Sequence, residues 1–550
     1  MSNQEPTSPV VLRPRATGVT LHSWLYDEIR TAILQGRLTP GLKLPSRKAL
    51  ARQYRISVTT VVEVSEKLMA HGYLEAKAGT GTYVRRAVAA APSEDRAPTA
   101  PAGPRPKGLS ERGRLLASQP LPDLPGNHPV ATFRLDRPAL DSLSIETWNR
   151  IAGERRRGER GLELLAHGEP LGFPPLRRAL ADHVRRTRGI RCDAGQVVVT
   201  SGTQHSLDLV ARLLLDPGDQ IWVEDPGYTP VTSILRSQGA EVVAVPVDAR
   251  GIDCAAGRRR CPLARLAYVT PGCQFPLGVA MSHERRRNLL QWATEAGAWV
   301  FEDDHDSLLP ADRRPQTLHS LDRAGSVIYS NSFNRMLFPS LRLGFLILPP
   351  AFIEPAAAAL SITQRYQPTA EQAALADFIV QGHFDQHMRR MRELYGDRRQ
   401  TLIETGRAEL GDLMTFSDSA AGRQVVGWLA TGLDEAEVCR RAAARQIDAV
   451  ALASLTLKRS LPPALVFGIG AADGRAIRTA IRRLGRVLRV LAWQTKGARP
   501  MQEKVPAPST DGSWVQTRYP SEQRPRPQPQ ISGTPAGSSP LAPALSPRYR

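Results

Sequence analysis

The apolar run Ala298-Trp299-Val300-Phe301 ends in Glu302-Asp303-Asp304-His305-Asp306, a carboxylate cluster at what reads as the end of a buried strand. Such a cluster suits a divalent metal or plain solvation. A second apolar run, Val327-Ile328-Tyr329, leads into Ser330-Asn331-Ser332-Phe333-Asn334-Arg335, and Leu341 to Leu348, read as a further strand, carries Arg342. A hydroxyl and two guanidiniums are donors suited to phosphate or carboxylate oxygens. A third run, Gln196 to Thr200, precedes Ser201-Gly202-Thr203-Gln204 and a helix bearing Leu207, Leu209, Val210 and Leu213. A glycine turn between strand and helix aims backbone N–H groups and the positive helix end at an anion. Taken singly, that turn identifies little.

The N-terminal region offers different chemistry. Ser46, Arg47 and Lys48 open one short helix, Ser57, Thr59 and Thr60 open another, and Gly79, Thr80 and Gly81 separate two short extended runs. The spacing supplies the elements that position them. Leu25, Ile29 and Ile33 recur every four residues and mark a buried helix stripe, which Gly36 and Pro40 stop. Ser46 caps a second helix buried through Leu50, and Ser57 caps a third that carries Val61, Val64 and Leu68 on one face and ends at Gly72. Two short helices joined by a tight turn form a helix-turn-helix, whose second helix enters the major groove of DNA. Its base-edge residues would be Val58, Thr59 and Thr60. The stretch YLEAKAGTGTYV then reads as a β-hairpin around Gly79-Thr80-Gly81, a wing able to touch the DNA backbone or minor groove.

At 550 residues the chain is too long for one core and predicts two to four domains. With 41% hydrophobic and 23% charged residues, it has no apolar run near the roughly 18 residues that cross a bilayer. The opening MSNQEPTSPVVLRPRATG lacks the apolar core of a signal peptide, so a cytoplasmic protein with no membrane partner is expected. Five cysteines without CxxC spacing fit a reducing compartment and argue against structural zinc. A net charge of +20 suits a polyanionic partner through counterion release. Yet runs such as Arg155-Arg156-Arg157 and Arg285-Arg286-Arg287 are scattered and read as solvated helix faces. Composition divides the chain into a mobile N-terminus (1–18), the helix-turn-helix (19–86), a Pro/Ala-rich linker (87–128), a large domain (129–495) and a disordered Pro-rich tail (496–550). In the large domain short apolar runs alternate with helix-like stretches, the signature of an α/β fold with a mainly parallel sheet.

From Leu21 to Val84 the chain resembles the GntR winged-helix regulators, whose pattern is L-P-S-x-R-x-L-A, then S-R-x-T-V, then G-x-G. The corresponding residues are Leu44-Pro45-Ser46-Arg47-Lys48-Ala49-Leu50-Ala51, Ser57-Val58-Thr59-Thr60-Val61 and Gly79-Thr80-Gly81. Lys48 and Val58 stand where the family has DNA-contacting arginines. Lysine keeps a phosphate contact without the bidentate fork, and valine reaches at most a thymine methyl. Base specificity is therefore expected to differ from the family norm; the alternative is a winged helix kept only for protein contacts. The large domain resembles the fold-type I aminotransferases, which use pyridoxal phosphate, and the two together resemble the MocR (GabR-like) branch of the GntR regulators. The matching residues include Phe133-Arg134-Leu135, Gly168-Glu169-Pro170-Leu171-Gly172, Glu224-Asp225-Pro226-Gly227-Tyr228, Gln274-Phe275-Pro276-Leu277-Gly278 and Met388-Arg389-Arg390-Met391-Arg392. The resemblance implies a mainly parallel sheet with helices on both faces, a smaller C-terminal α/β subdomain and a homodimer. It also implies that Gly202, Thr203, Ser332 and Arg342, with Gln204 beside them, cradle the cofactor phosphate. Tyr228 would stack on the pyridine ring and Asp303 would pair with the ring nitrogen, while His305 replaces a family tyrosine.

The family motif S/T-F-S-K, followed by L-x-P-x-x-R-x-G, becomes Ser332-Phe333-Asn334-Arg335, then Leu337, Pro339, Arg342 and Gly344, so the register puts Arg335 at the Schiff-base lysine. A lysine amine can lose its proton and attack an aldehyde. A guanidinium, with a pKa above about 12, cannot. Between Gly108 and Thr495 the only lysine is Lys458, in a different motif, and Cys273 replaces a family histidine. Two readings of the pocket stay open. It binds pyridoxal phosphate non-covalently, or another anionic metabolite; or Arg335 pairs with Asp303 and fills an empty site. The functional expectation is a transcription regulator that binds double-stranded DNA and a small-molecule effector, with no catalytic residue assigned. The alternatives are a pyridoxal-phosphate-dependent aminotransferase with an attached DNA-binding domain, and a partner-binding relic.

Overall fold

The computed structural model describes residues 12–15, 18–85, 108–119, 132–304, 314–417 and 422–496. They fall into two units that divide after Gly108. His305, most of 1–18 and 87–128, and all of the tail beyond Lys496 lie outside the described residues.

In the first unit, α1 (Leu21–Leu34) buries Leu25, Ile29 and Ile33 in a core shared with Val61, Val64 and Leu68 of α3 (Val58–Ala70). Between them, α2 (Arg47–Tyr54) starts at Ser46, whose Oγ accepts the Ala49 N–H at 3.2 Å; α3 starts at Ser57, whose Oγ accepts the Thr60 N–H at 3.0 Å. Each cap satisfies one of the amides that a helix start leaves without a partner. Arg55 makes the turn between α2 and α3 in the left-handed region, at φ 53°. The strands β1 (Leu74–Lys77) and β2 (Gly81–Val84) pair antiparallel, Leu74 opposite Val84, around Gly79 at φ 74°. One expectation is corrected at the N-terminus. Residues 12–15 pack on this unit: Leu12 is buried in its core, the Leu12 N–H donates to Tyr54 OH at 3.0 Å, and Trp24 Nε1 donates to the Arg13 carbonyl at 2.9 Å. A single apolar side chain with two backbone anchors outweighs the polar composition around it.

The second unit begins with another correction. Helix Glu111–Ala117 lies in the stretch read as linker, capped by Ser110 and tied by Arg112, which donates to Gln238 Oε1 at 2.9 Å. Averaging composition over a long Pro/Ala-rich segment hid its local capping signal. The main sheet contains β3 (Val197–Thr200), β4 (Gln220–Asp225), β5 (Glu241–Asp248), β6 (Gly251–Ile252), β7 (Leu266–Val269), β8 (Trp299–Asp303), β9 (Val327–Ser332) and β10 (Gly344–Ile347). Their order is β3-β10-β9-β8-β7-β4-β5-β6, parallel from β9 to β5, with β10 antiparallel to both neighbours and β6 antiparallel at the edge.

Both faces of this sheet are covered, which is why its strands read as continuous apolar runs. Successive side chains point to opposite faces. Val197 and Val199 accordingly join a core with helix Pro174–Arg188, while Val198 joins one with helix Thr203–Leu214. The expected strand from Leu341 to Leu348 is shorter: Pro339–Leu341 forms a 3-10 turn and Arg342 sits at φ 51°, so Arg342 precedes the strand. The smaller subdomain is an antiparallel sheet of β11 (Met414–Phe416), β12 (Gln424–Leu429), β14 (Ala464–Gly468) and β13 (Val450–Ala451), in that order. Helices His383–Leu410 and Gly474–Lys496 share its core. Phe133 is buried there with its ring 5.0 Å from Phe467, and a Cβ on Gly468 would lie 2.2 Å from the Arg134 carbonyl. The two residues that follow, Leu135 and Asp136, line a cleft with Gly202, Asp303 and Ser332 at the ends of main-sheet strands.

Candidate functional site

Parallel α/β sheets present ligands at the C-terminal ends of their strands. There, the ends of β3, β8 and β9 converge on a cleft of about 920 Å³, its open mouth included. Gly202, Thr203 and Gln204 line it from the turn after β3, Tyr228 from the segment after β4, and Asp303 and Ser332 from the ends of β8 and β9; Arg335 and Arg342 complete the wall. Gly202 has φ 119°, and a Cβ on it would stand 2.5 Å from Asn334 Nδ2 and 3.3 Å from Ser332 Oγ. Asn334 pins the turn from the other side. Its Nδ2 donates to the Ser201 carbonyl at 3.0 Å, and its Oδ1 accepts the Leu343 N–H at 2.8 Å. No side chain caps helix Thr203–Leu214, so its first-turn amides and positive end are directed at the cleft.

At the inner end of the cleft, Asp303 is buried and accepts Tyr268 OH at 2.6 Å and Thr203 Oγ1 at 3.3 Å. Burial, and then Asp303, push the Tyr268 phenol well above its ordinary pKa, so it remains a donor. Tyr228 packs edge-on to Phe275 with ring centroids 5.9 Å apart; burial raises its phenol and Arg335 opposes that rise. Arg335 Nη2 donates to the Leu135 carbonyl at 3.1 Å, and its guanidinium carbon lies 5.9 Å from the Phe275 ring centroid. Arg423 in turn donates to the Arg335 carbonyl. Arg335 thus ties β9 to the segment that packs on the smaller subdomain.

Lys458 is exposed; its N–H, with those of Leu457 and Arg459, donates to the Asp225 carboxylate at 2.8 to 2.9 Å. Its side chain is not among those lining the cleft. Sequence reasoning missed Leu135, Asp136, Phe275, Asn334 and Pro339 as lining residues. Asn334 stands where the family motif has a serine, and its hold on the turn emerges only when that turn folds over β9 and β10.

In the first unit, Ser57, Val58 and Thr59 are exposed at the start of α3, with Val58 44% exposed. Thr60 is half-buried and its Oγ1 lies 2.8 Å from Ser57 Oγ, so both hydroxyls take part in the cap. Ser46, Arg47 and Lys48 are exposed at the start of α2, and Gly79, Thr80 and Gly81 at the hairpin tip. The structure adds Arg52 and Arg55, exposed at the turn between the two helices.

Comparison with known proteins agrees with both units. Residues 21–84 match the bacterial regulatory proteins of the gntR family, and residues 157–420 match aminotransferase class I and II. The chain is 35% identical over 503 residues to the probable rhizopine catabolism regulatory protein MocR of Rhizobium meliloti, covering 90% of this chain and 98% of that protein. It is 27% identical to the pyridoxine biosynthesis transcriptional regulator PdxR of Corynebacterium glutamicum, covering 86% and 97% of the two chains. Among solved structures, the alpha-aminoadipate aminotransferase LysN of Thermus thermophilus, complexed with N-(5'-phosphopyridoxyl)-L-leucine, superposes with a TM-score of 0.61 at 26% identity over 66% of this chain and 93% of that one. A GntR-type winged helix followed by a fold-type I aminotransferase domain, with this extent of identity, makes the chain a member of the MocR-type regulators of the GntR family.

Proposed function

We propose that the protein is a DNA-binding transcription regulator whose aminotransferase-like domain senses pyridoxal phosphate, or a related anionic metabolite, by reversible non-covalent binding. The observation that carries this reading is the cleft itself: its anion donors are in place, while the side chain beside them is the guanidinium of Arg335. The Gly202 turn, kept open by the missing Cβ, fits a phosphate, with the first-turn amides, Ser332 and Arg342 as donors. Asp303 suits a protonated ring nitrogen, and Tyr228 suits the ring face. When bound, pyridoxal phosphate supplies an electron-withdrawing ring and an aldehyde. Arg335 cannot attack that aldehyde because its guanidinium holds its proton, so this chain's residues bind and orient the ligand without joining it.

The DNA side of the proposal rests on the exposed starts of α2 and α3. Ser46, Arg47, Lys48, Ser57, Thr59, Thr60 and the Gly79-Thr80-Gly81 tip form the contact set, with Val58 offering an apolar contact to a thymine methyl. A homodimer in the cytoplasm would present two such heads to paired half-sites. Three measurements on the full-length protein test the proposal: mobility shift with DNA upstream of its own gene, amino-transfer assays with added cofactor, and borohydride trapping. The expected result is retarded DNA whose affinity changes with pyridoxal phosphate, without turnover or a trapped protein–cofactor adduct. Turnover, or a trapped adduct on a protein amine, would overturn it.

A further inference from the structure

A second cavity lies beyond Arg335, between helix Pro174–Arg188, the end of β9 and helix His383–Leu410. Its volume is about 810 Å³ with its opening included. Arg335 lines both this cavity and the cleft, so its side chain forms part of the wall between them. Arg188, Arg314, Arg335, Arg392 and Arg423 line it against two described carboxylates, Asp304 and Asp385.

One of the two carboxylates is already engaged. Asp304 Oδ1 takes the ion pair from Arg188 and its Oδ2 accepts Tyr329 OH at 2.6 Å, while Asp385 stands 3.6 Å from His183 Nδ1. Burial, and then the nearby Arg188, depress the Arg314 pKa to about 10, while Asp304 opposes the fall. Two donors point to what is missing: Arg188 Nε and Arg392 Nε are buried and have no hydrogen-bond partner among the described residues. A buried donor left unmade is costly, and a charged one more so. Phe333, Phe345, Phe384, Met388 and Met391 add apolar surface to the wall, beside the polar Thr187, Asn331 and Tyr395.

We infer that this cavity is a second ligand site, separate from the cofactor cleft, for a small organic anion with two carboxylates on an apolar frame. Forked guanidiniums match carboxylate geometry. The aromatic and methionine side chains match the frame, which inorganic anions lack. Arg392 is the diagnostic residue because it lines this cavity and not the cleft.

The test is isothermal titration of the full-length protein with phthalate, succinate, acetate and inorganic phosphate. Phthalate and succinate are expected to bind saturably, and acetate much more weakly. Arg392→Gln is expected to weaken phthalate about tenfold or more. Arg392→Lys, which keeps the charge and loses the fork, should weaken it by a smaller factor and serves if the glutamine variant does not fold. Arg342→Ala, in the cleft, should leave phthalate binding intact while weakening pyridoxal phosphate. The inference is overturned if neither dicarboxylate binds saturably, if inorganic phosphate alone binds, or if phthalate binding depends on Arg342 and not on Arg392. Loss of pyridoxal phosphate binding alone would count against the cofactor reading and leave this one standing.

Discussion

At the scale of single residues, the difference between a guanidinium and an amine organises the cleft. Arg335→Lys puts an ionisable amine beside the Gly202 turn, where a lysine can lose its proton and attack an aldehyde. The variant is expected to gain a covalent adduct with pyridoxal phosphate that borohydride fixes, read by mass spectrometry, while the wild type shows none. An unmodified variant would mean that the side chain at 335 does not face the ligand. Arg342 is exposed at the mouth of the cleft, and hydrogen bonds to charged groups contribute about 1.5–3 kcal/mol. Arg342→Gln should therefore weaken pyridoxal phosphate about tenfold to a hundredfold, checked by fluorescence titration. Most of this pocket was legible because strand-end motifs carry residue types with a narrow range of uses. The alternative pairing of Arg335 with Asp303 could not be judged from the sequence, since it depends on where long side chains turn. In the structure both side chains line the cleft, Arg335 donating to the Leu135 carbonyl and Asp303 accepting from Tyr268 and Thr203.

Secondary-structure elements were legible where caps and apolar stripes agreed, and less so where one signal acted alone. Ser46 and Ser57 sit at the starts of α2 and α3 as their sequences require, with the Leu50 and Val61-Val64-Leu68 faces buried. The strand around Arg342 is shorter than its sequence suggests because Leu341 and Leu343 extend its apolar pattern across a turn that the backbone makes in the left-handed region. Ser57 holds both the Thr60 amide and its hydroxyl. Ser57→Ala should destabilise the winged-helix unit by about 1 kcal/mol, measured by hydrogen exchange at α3 amides. Its effect on DNA affinity should exceed that of Thr59→Ala, because it loosens the start of the helix as well as removing a hydroxyl. Lys48→Arg combined with Val58→Arg moves the reading head towards the family pattern. Each added phosphate contact should steepen the dependence of log affinity on log salt by about 0.9. Lys48 already carries its charge, so only Val58→Arg adds a contact, and an unchanged slope in mobility-shift titrations would place residue 58 away from the DNA backbone.

For the whole second unit, stability depends on contacts between helices far apart in sequence. His183, on helix Pro174–Arg188, is partly buried and faces Asp385 of helix His383–Leu410 at 3.6 Å, with Arg186, Arg188 and Arg314 also acting on it. Burial lowers its pKa from 6.5 to about 4, and the three arginines add to the fall while Asp385 resists it. The unfolded chain therefore takes up a proton between pH 6.5 and 4 that the folded chain refuses. The stability tied to neutral His183 is present in full above about pH 6.5 and lost as pH falls through 4, a change of about 3 kcal/mol. Glu302 acts in the opposite direction: burial, and then Asp304, push its carboxyl up to about 7, which disfavours the folded state as pH rises towards that value. The wild-type profile contains both effects, so a comparison must isolate one. His183→Gln cannot titrate, and in parallel denaturant melts its unfolding midpoint relative to wild type should stay level from pH 7.5 to about 6.5 and rise as the pH is lowered further to 4.5. A difference that stays constant across that range would show that His183 takes its proton equally well in the folded protein, and that the packing of the two helices does not exclude it.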